Sequence, residues 1–317
     1  MLPIEKNKNE TFATIMEQHR GITTGFDYLR IILALSVVFW HSILTTTGQD
    51  GHIWASMLRP IPAVILPMFF CLSGFLVAGS LKRTANMREF LLLRAIRIIP
   101  ALFVEVILAA LILGPLLTTL PLSDYFSDTQ FYHYFLNILG MVYLYLPGMF
   151  AENIFPDVVN INIRTLPSEL ECYVLLAILT TLGVVRKPLL LTVFAILLLI
   201  VATLSILPNA DILQKTPPLG NTLVLAFLFG VVFNILKEYI PHKKIWFIIA
   251  LFAMILLLLK ASTQFVALPF VAYVTGYIGL LTPPKKTFLL RGDYSYGLYL
   301  FGFPLQQVYA MLFAPNL

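Results

Sequence analysis

The sequence predicts an all-α protein, a polytopic bundle of about nine to ten transmembrane helices. Of its 317 residues, 59% are hydrophobic and only 12% are charged, whereas about 25% are charged in an ordinary soluble domain. Several apolar runs approach the ~20 residues that a helix needs to cross a bilayer. The alternating segments of about ten residues that build an outer-membrane barrel are not found. We expect one transmembrane domain over residues 26–317 behind a polar cytoplasmic leader, residues 1–25.

The elements follow from the apolar runs and the polar segments between them. The leader predicts a short surface helix from Thr11 to His19, and the first span should act as its own insertion signal. The segment 131–150 is aromatic but only moderately apolar, so we expect it not to cross completely. The spans are predicted near residues 26–45, 61–81, 98–120, 169–185, 189–207, 219–236, 245–260, 263–281 and 292–313.

The charges between the spans favour nine crossings over ten. Cytoplasmic loops are enriched in Lys and Arg, and with a cytoplasmic N-terminus the nine-span order keeps the basic loops inside. If 131–150 crossed, three basic loops after it would face outward. The net charge of +5 therefore indicates topology and the bilayer as partner, not nucleic-acid binding. The cysteines, Cys71 and Cys172, give no disulfide framework and no metal-ligand spacing, so no metal is expected.

The first span carries two ionisable residues, Arg30 and His41, eleven residues apart. At ~1.5 Å and ~100° per residue they lie about 16 Å apart along the helix and on the same stripe. Ionisable groups are costly in hydrocarbon, so this pair indicates a functional site, with His41 as a general base on a hydroxyl. The alternative makes His41 a packed histidine bonded to a neighbouring helix and Arg30 an interfacial anchor.

A basic stretch, which includes Arg83, Arg94 and Arg97, precedes the third span. Arg94 and Arg97 lie three residues apart on one helix face and could bind phosphates through bidentate contacts. The alternative is anchoring of the cytoplasmic side against anionic lipid.

A later span begins with an acid, Glu169, which lies four residues before Tyr173 on the same helical face. Glu169 could orient His41 or share its proton. Alternatively, its charge stabilises the N-terminus of its own helix. Glu105, an acid within the third span, could pair with one of the arginines.

Together these residues form patterns that resemble the integral-membrane acyltransferase family 3, the bacterial acyltransferases that decorate surface glycans. The patterns are Arg30 with His41, the Ser73-Gly74-Phe75 stretch, Arg94 and Arg97 before Pro100, Thr165 to Glu169 with Tyr173, and Ser295 to Leu300 with its two tyrosines. Their order and spacing cover nearly the whole chain.

The resemblance implies transfer of an acyl group, usually acetyl, from acyl-CoA to a hydroxyl of a sugar in a cell-surface or exopolysaccharide glycan. The acceptor could also be a lipid-linked sugar, and the location is the bacterial inner membrane. His41 is then catalytic with Arg30 as helix partner and Glu169 as an active-site acid. Arg94 and Arg97, with Arg83 and Ser73, would bind the polyanionic coenzyme. Acyl transfer to an alcohol needs a base and a place for the oxyanion.

The sequence departs from the family pattern in three places. Gly302 stands where a histidine usually precedes the Phe-Pro pair, Arg164 replaces a Trp, and the chain ends soon after Pro304, which fits the nine-span count. Two alternatives stay open. One is a transporter or flippase for a glycan or lipid-linked precursor, although no internal repeat supports it. The other is an inactive assembly partner.

Overall fold

The computed structural model describes residues 10–19, 23–48, 56–81, 86–209, 220–284 and 294–313, and within these ranges the regular elements are helical, with two isolated β-bridges. The helices are α1 (Phe12–Gln18), α2 (Thr24–Thr47), α3 (Pro60–Leu81), α4 (Met87–Leu117), α5 (Leu122–Ser127), α6 (Thr129–Tyr134), α7 (Leu166–Thr181), α8 (Pro188–Ile206), α9 (Gly220–Ile235), α10 (Lys244–Leu258), α11 (Leu268–Gly279) and α12 (Ser295–Phe313).

Four helices in the described ranges are long and apolar enough to cross a membrane: α2, α3, α4 and the segment Pro188–Asn209, which begins with α8. The helices α9, α10 and α11 are shorter but also apolar. The prediction of a multi-pass helical membrane protein is therefore confirmed, whereas the count of nine or ten crossings stays a prediction. In the segment 131–150, the end of α6 and a 3-10 turn at Phe135–Leu139 are far shorter than the ~20 residues of a crossing helix.

The third span begins earlier than the sequence predicted. We expected it near residue 98, but α4 begins at Met87, where the side chain of Asn86 accepts a hydrogen bond from the backbone N–H of Glu89. This N-cap supplies the start signal, and Pro100 lies inside the helix without ending it. Consequently Arg94 and Arg97 lie well within α4 and not at its first turn.

The chain forms two compact units. Unit 1 holds Met1–Arg30, Met57–Arg83 and Ile178–Gly292, and unit 2 holds Ile31–Ser56, Thr84–Ala177 and Asp293–Leu317. The division falls within α2, so that Arg30 belongs to unit 1 and His41 to unit 2.

In unit 1, α3 and α9 pack backbone against backbone. A Cβ atom added to Gly74 would overlap the carbonyl of Phe227, and one added to Gly230 would overlap the carbonyl of Cys71. The Cys71 thiol donates a hydrogen bond to the carbonyl of Ala226 at 3.0 Å. Small residues allow such close approach between membrane helices. Gly74 of the Ser73-Gly74-Phe75 stretch therefore permits the close approach of α3 and α9.

Unit 1 also buries a charged side chain, that of Arg59. Its guanidinium donates to the carbonyl of Leu258 at 2.6 Å and to the side chain of Gln264 at 3.1 Å. Leu258 is the last residue of α10, and a cation at a helix C-terminus complements the negative end of the helix dipole. Arg59 therefore has a structural role.

The predicted leader helix is confirmed as α1, capped by Thr11. Phe12 is fully buried and packs against the rings of His242 and Tyr273, with centroids 5.9 and 5.5 Å away. Its backbone N–H donates to the carbonyl of Ile240 at 3.0 Å. The helix is thus docked within unit 1.

In unit 2, a π-helical turn at Ala109–Leu113 interrupts α4. A π turn disturbs the regular backbone hydrogen bonds, and here the hydroxyl of buried Tyr125 donates to the carbonyl of Ala110 at 2.7 Å. A Cβ atom at Gly114 would overlap the Tyr125 ring. The turn, the glycine and the tyrosine hydroxyl thus form one local arrangement.

The glycine contact between α3 and α9 predicts a stability difference between two alanine substitutions in the same helix. We expect Gly74→Ala to lower the unfolding free energy by about 1–3 kcal/mol, because the rigid carbonyl of Phe227 must move. Gly79→Ala is the control, since its added methyl would lie 3.4 Å from the nearest atom, an ordinary contact. Thermal unfolding in detergent measures both, and equal melting temperatures would contradict the packing account.

Candidate active site

The site in unit 2 begins with His41 on α2. Its imidazole meets the ring of Phe303 edge to face, with centroids 5.3 Å apart and an interplanar angle of 89°. Phe303 is fully buried with Leu44 and Val158 in a small apolar cluster. The Nδ1 atom of His41 is buried and has no hydrogen-bond partner among the residues that the structure describes. A buried polar atom normally has a partner, so this nitrogen marks a place where a ligand could bind.

The helix α12 holds α2 beside His41. The side-chain N–H group of Gln306 donates to the carbonyl of Val38 at 2.5 Å and to the hydroxyl of Ser42 at 2.6 Å. Val38 and Ser42 lie three residues before and one residue after His41. One turn earlier in α12, a Cβ atom at Gly302 would come within 2.8 Å of the Val38 side chain. Gly302 therefore allows α12 to approach α2 closely enough for Gln306 to form these two hydrogen bonds.

The structure brings Arg94, Arg97 and Glu169 together within unit 2. The charges of Arg94 and Arg97 both act on Glu169 in the first turn of α7. The hydroxyl of Tyr173 donates to a Glu169 carboxylate oxygen at 2.7 Å, as their spacing of four residues predicts. The Arg94 guanidinium also lies over the ring of Phe90, 6.0 Å from its centroid. One carboxylate and two guanidiniums thus lie within electrostatic range of one another, and these three residues are called the ionic cluster below.

Arg97 also lines a pocket next to this cluster. The pocket has a volume of about 550 Å³ and lies between α4 and the beginning of α12. Its lining residues are Arg97, Ala101, Tyr294, Tyr296, Gly297 and Leu298.

Glu105 has amide and phenol partners. Its Oε1 atom accepts hydrogen bonds from Asn160 at 2.8 Å and from Tyr134 at 3.3 Å, while its Oε2 atom is buried with no partner in the described part of the chain. The sequence allowed an arginine as the partner of Glu105, but in the described part of the chain its hydrogen-bond partners are Asn160 and Tyr134. Asn160 also donates to the carbonyl of Leu300 at 2.9 Å, so that the Glu105 side chain indirectly joins α4 to α12.

The loop before α7 carries residues that the sequence analysis missed. Asn162 donates to the backbone carbonyl of Tyr299, and the hydroxyls of Thr165 and Tyr299 lie 2.8 Å apart. Two of the patterns noted above, one before Glu169 and one in α12, therefore meet directly. The signal for these residues was an Asn-x-Asn pair, Asn160 and Asn162, within a polar loop that carries no periodicity.

A glutamine on α12 anchors the other side of this loop. Gln307 is fully buried and donates to the carbonyls of Phe155 and Val158 at 2.8 and 2.7 Å. The side chain of Asn153 in turn donates to Gln307. Two adjacent residues of α12 thus form hydrogen bonds to two elements: Gln306 to α2, and Gln307 to the loop before α7.

For three predicted site residues the structure gives no test of the predicted role. Arg30 lies on α2 and Ser73 on α3, both in unit 1. Arg83 lies outside the described residues. The role of Arg30 beside His41 and the roles of Arg83 and Ser73 in coenzyme binding stay predictions. In the described part of the chain, no group of three or more His, Cys, Asp or Glu side chains is placed to hold a metal ion.

Comparison with known proteins gives the family. A sequence profile described as "Acyltransferase domain" matches residues 23–317. The chain belongs to this acyltransferase family. It is similar to a protein named "O-acetyl transferase" from Shigella phage Sf6, with 25% identity over 296 residues that cover 89% of this chain and 84% of that protein.

A second relative supports the same assignment. The chain is 26% identical over 310 residues to "Nodulation protein 10" of Rhizobium leguminosarum bv. viciae, covering 90% of this chain and 83% of that protein. No solved structure matches the chain. The chain is therefore an acyltransferase of the membrane, and the cluster around Arg94, Arg97 and Glu169 is the candidate active site together with His41.

The contact between α12 and α2 predicts that Gln306 positions His41 for the transfer. We expect Gln306→Met, which keeps the size but removes the donor, to lower kcat about ten- to a hundredfold, because small displacements of a catalytic group are costly. The KM for the acyl donor should not change. Steady-state kinetics in membranes measure both constants, with Leu305→Met at an exposed position of the same helix as control. An unchanged kcat would contradict this role.

Proposed function

We propose that this protein is an O-acyltransferase of the bacterial inner membrane. It moves an acyl group, most simply acetyl, from acyl-CoA to a hydroxyl of a sugar in a cell-surface or exopolysaccharide glycan. The observation that carries the proposal is the ionic cluster of Arg94, Arg97 and Glu169 in the same unit as His41. The name of the phage relative supports an oxygen acceptor, and the family favours chemistry over transport.

The two arginines are suited to an anionic donor. A guanidinium binds phosphate oxygens through paired N–H donors and keeps its charge under all physiological conditions. Arg94 and Arg97 lie three residues apart on α4, and the charges of both act on the same carboxylate. Glu169 accepts a hydrogen bond from the Tyr173 hydroxyl, and its negative charge offsets part of the charge of the two guanidiniums until the donor binds.

His41 supplies the base. An imidazole nitrogen takes the proton of the sugar hydroxyl while the hydroxyl oxygen forms a bond to the thioester carbonyl carbon. The carbon–sulfur bond then breaks, the thiolate leaves, and the imidazolium returns the proton to it. The products are the O-acyl sugar and the free thiol of CoA. The unpartnered Nδ1 of His41 supports this role, because a bound hydroxyl would give this buried atom a partner.

A substitution at His41 tests the catalytic role. We expect His41→Gln to reduce acylation of the glycan by at least about a hundredfold, since glutamine cannot act as a base at neutral pH. Mass spectrometry of surface glycans from cells that carry each variant measures the effect. Phe39→Leu, at an exposed position of the same helix, is the control. Normal acylation by His41→Gln would overturn the catalytic assignment.

A conservative change at Arg97 tests the donor. Arg97→Lys keeps the charge but loses the planar pair of donors, so we expect the KM for acetyl-CoA to rise about tenfold. Arg164→Lys is the matched control, because Arg164 is exposed and lies outside the cluster. Release of free thiol from acetyl-CoA by protein in lipid nanodiscs gives the KM. A KM equal in both variants would argue against phosphate binding by Arg97.

A further inference from the structure

The contact between α12 and α2 contains two unused hydrogen-bond acceptors. The Nδ1 atom of His41 and the Oε1 atom of Gln306 are buried, and neither has a partner among the residues that the structure describes. The ring of Phe303, one turn before Gln306, packs on the imidazole. The Gln306 amide reaches α2 at Val38 and Ser42, on either side of His41 in the sequence. Both unused atoms therefore belong to one helix contact.

The hydrogen bonds of Gln306 fix which end of its amide is unused. A backbone carbonyl can only accept, so the amide atom 2.5 Å from the carbonyl oxygen of Val38 is the nitrogen. The same NH2 group donates to the Ser42 hydroxyl at 2.6 Å, and that hydroxyl donates to the Val38 carbonyl at 3.0 Å. Both N–H donors of the amide are thus used. Its oxygen stays free to accept, because turning the amide over would set two oxygens against each other.

The surroundings of the two acceptors restrict the group that can satisfy them. The neighbouring side chains of Phe303, Leu44 and Val158 form a buried apolar cluster. A buried acceptor without a donor is costly, and a cationic donor would lose more hydration in such a place than a neutral one. A ligand with two neighbouring hydroxyl groups brings two neutral donors, one for each acceptor.

We propose that Gln306 selects which hydroxyl of the acceptor is acylated. Its Oε1 atom accepts a hydrogen bond from a second hydroxyl, next to the one that gives its proton to Nδ1 of His41. The acceptor is therefore a sugar ring with two neighbouring free hydroxyls. This inference rests on the proposed function, because it takes a sugar hydroxyl as the acceptor. The two ends of one amide then have different roles: the nitrogen positions α2, and the oxygen determines specificity.

Two substitutions at Gln306 separate these roles. Gln306→Met removes both ends of the amide, whereas Gln306→Glu removes the NH2 group but keeps an oxygen acceptor. We expect the wild type to acylate one hydroxyl over its neighbour at least about tenfold. In Gln306→Met the ratio should fall below about threefold, because either hydroxyl can then face His41, and in Gln306→Glu it should stay near tenfold. Leu305→Met, at an exposed position of α12, is the control and should keep the ratio of the wild type.

The ratio is measured on surface glycans from cells that carry the full-length variants. The glycans are isolated at mildly acidic pH, where acyl groups do not migrate between neighbouring hydroxyls, and NMR spectroscopy assigns each acylated position. A role of Gln306 in positioning alone would lower the total acylation and leave the ratio unchanged. The position-specific ratio therefore distinguishes the two roles.

The outcomes also separate this inference from the proposed function. If the wild type acylates the glycan and Gln306→Met keeps its ratio, or Gln306→Glu loses the ratio as fully as Gln306→Met, the specificity role is wrong and the transferase stands. If the wild type adds no acyl group, the proposed function fails and the inference with it. Should Gln306→Met give too little product, Gln306→Asn withdraws the oxygen by one methylene, and an unchanged ratio in that variant overturns the specificity role.

Discussion

The structure of unit 2 depends on one constraint: polar groups buried in an apolar helix bundle must find their partners within the protein. The hydrogen bonds of Asn160 to Glu105 and to the carbonyl of Leu300 meet this constraint and join α4 to α12 through a loop. Gln307 does the same for that loop from α12. These contacts position α4, α7 and α12, and with them the arginines, Glu169 and the pocket.

Against this background, the buried groups that lack a partner are informative. Among the described residues of unit 2 they are Nδ1 of His41, Nε of Arg94, Oε2 of Glu105, the hydroxyl of Tyr296 and Oε1 of Gln306, and the first two belong to residues that the proposed reaction uses. By contrast, the buried hydroxyl of Tyr125, which lies at the π turn and away from the proposed chemistry, is paired with a backbone carbonyl. Stability accounts for the paired hydroxyl of Tyr125, and the proposed reaction would give the unpaired nitrogen of His41 a partner.

The sequence predicted what depends on composition and local spacing. The apolar runs predicted the helices, and the sequence patterns singled out His41, Arg94, Arg97 and Glu169, which all lie in unit 2. It did not predict the start of α4, because an Asn cap outweighed the charged residues before the apolar run. Nor did it find Gln306, whose role depends on a contact with Val38 and Ser42 more than 260 residues away in the chain. Such pairings have no periodic signal in a single sequence.

Gly302 illustrates how a departure from a family pattern can be explained by packing. Any side chain at this position would press on Val38, one turn before His41 on α2. With glycine there, α12 approaches closely enough for Gln306 to reach the backbone of α2 and for Phe303 to pack against the imidazole. Glycine at position 302 replaces the titratable side chain of the family pattern. The position of His41 is still supported by Phe303 and Gln306, both on α12. His41 is therefore held in place although position 302 carries no histidine. This argues against the interpretation of Gly302 as a sign of an inactive protein.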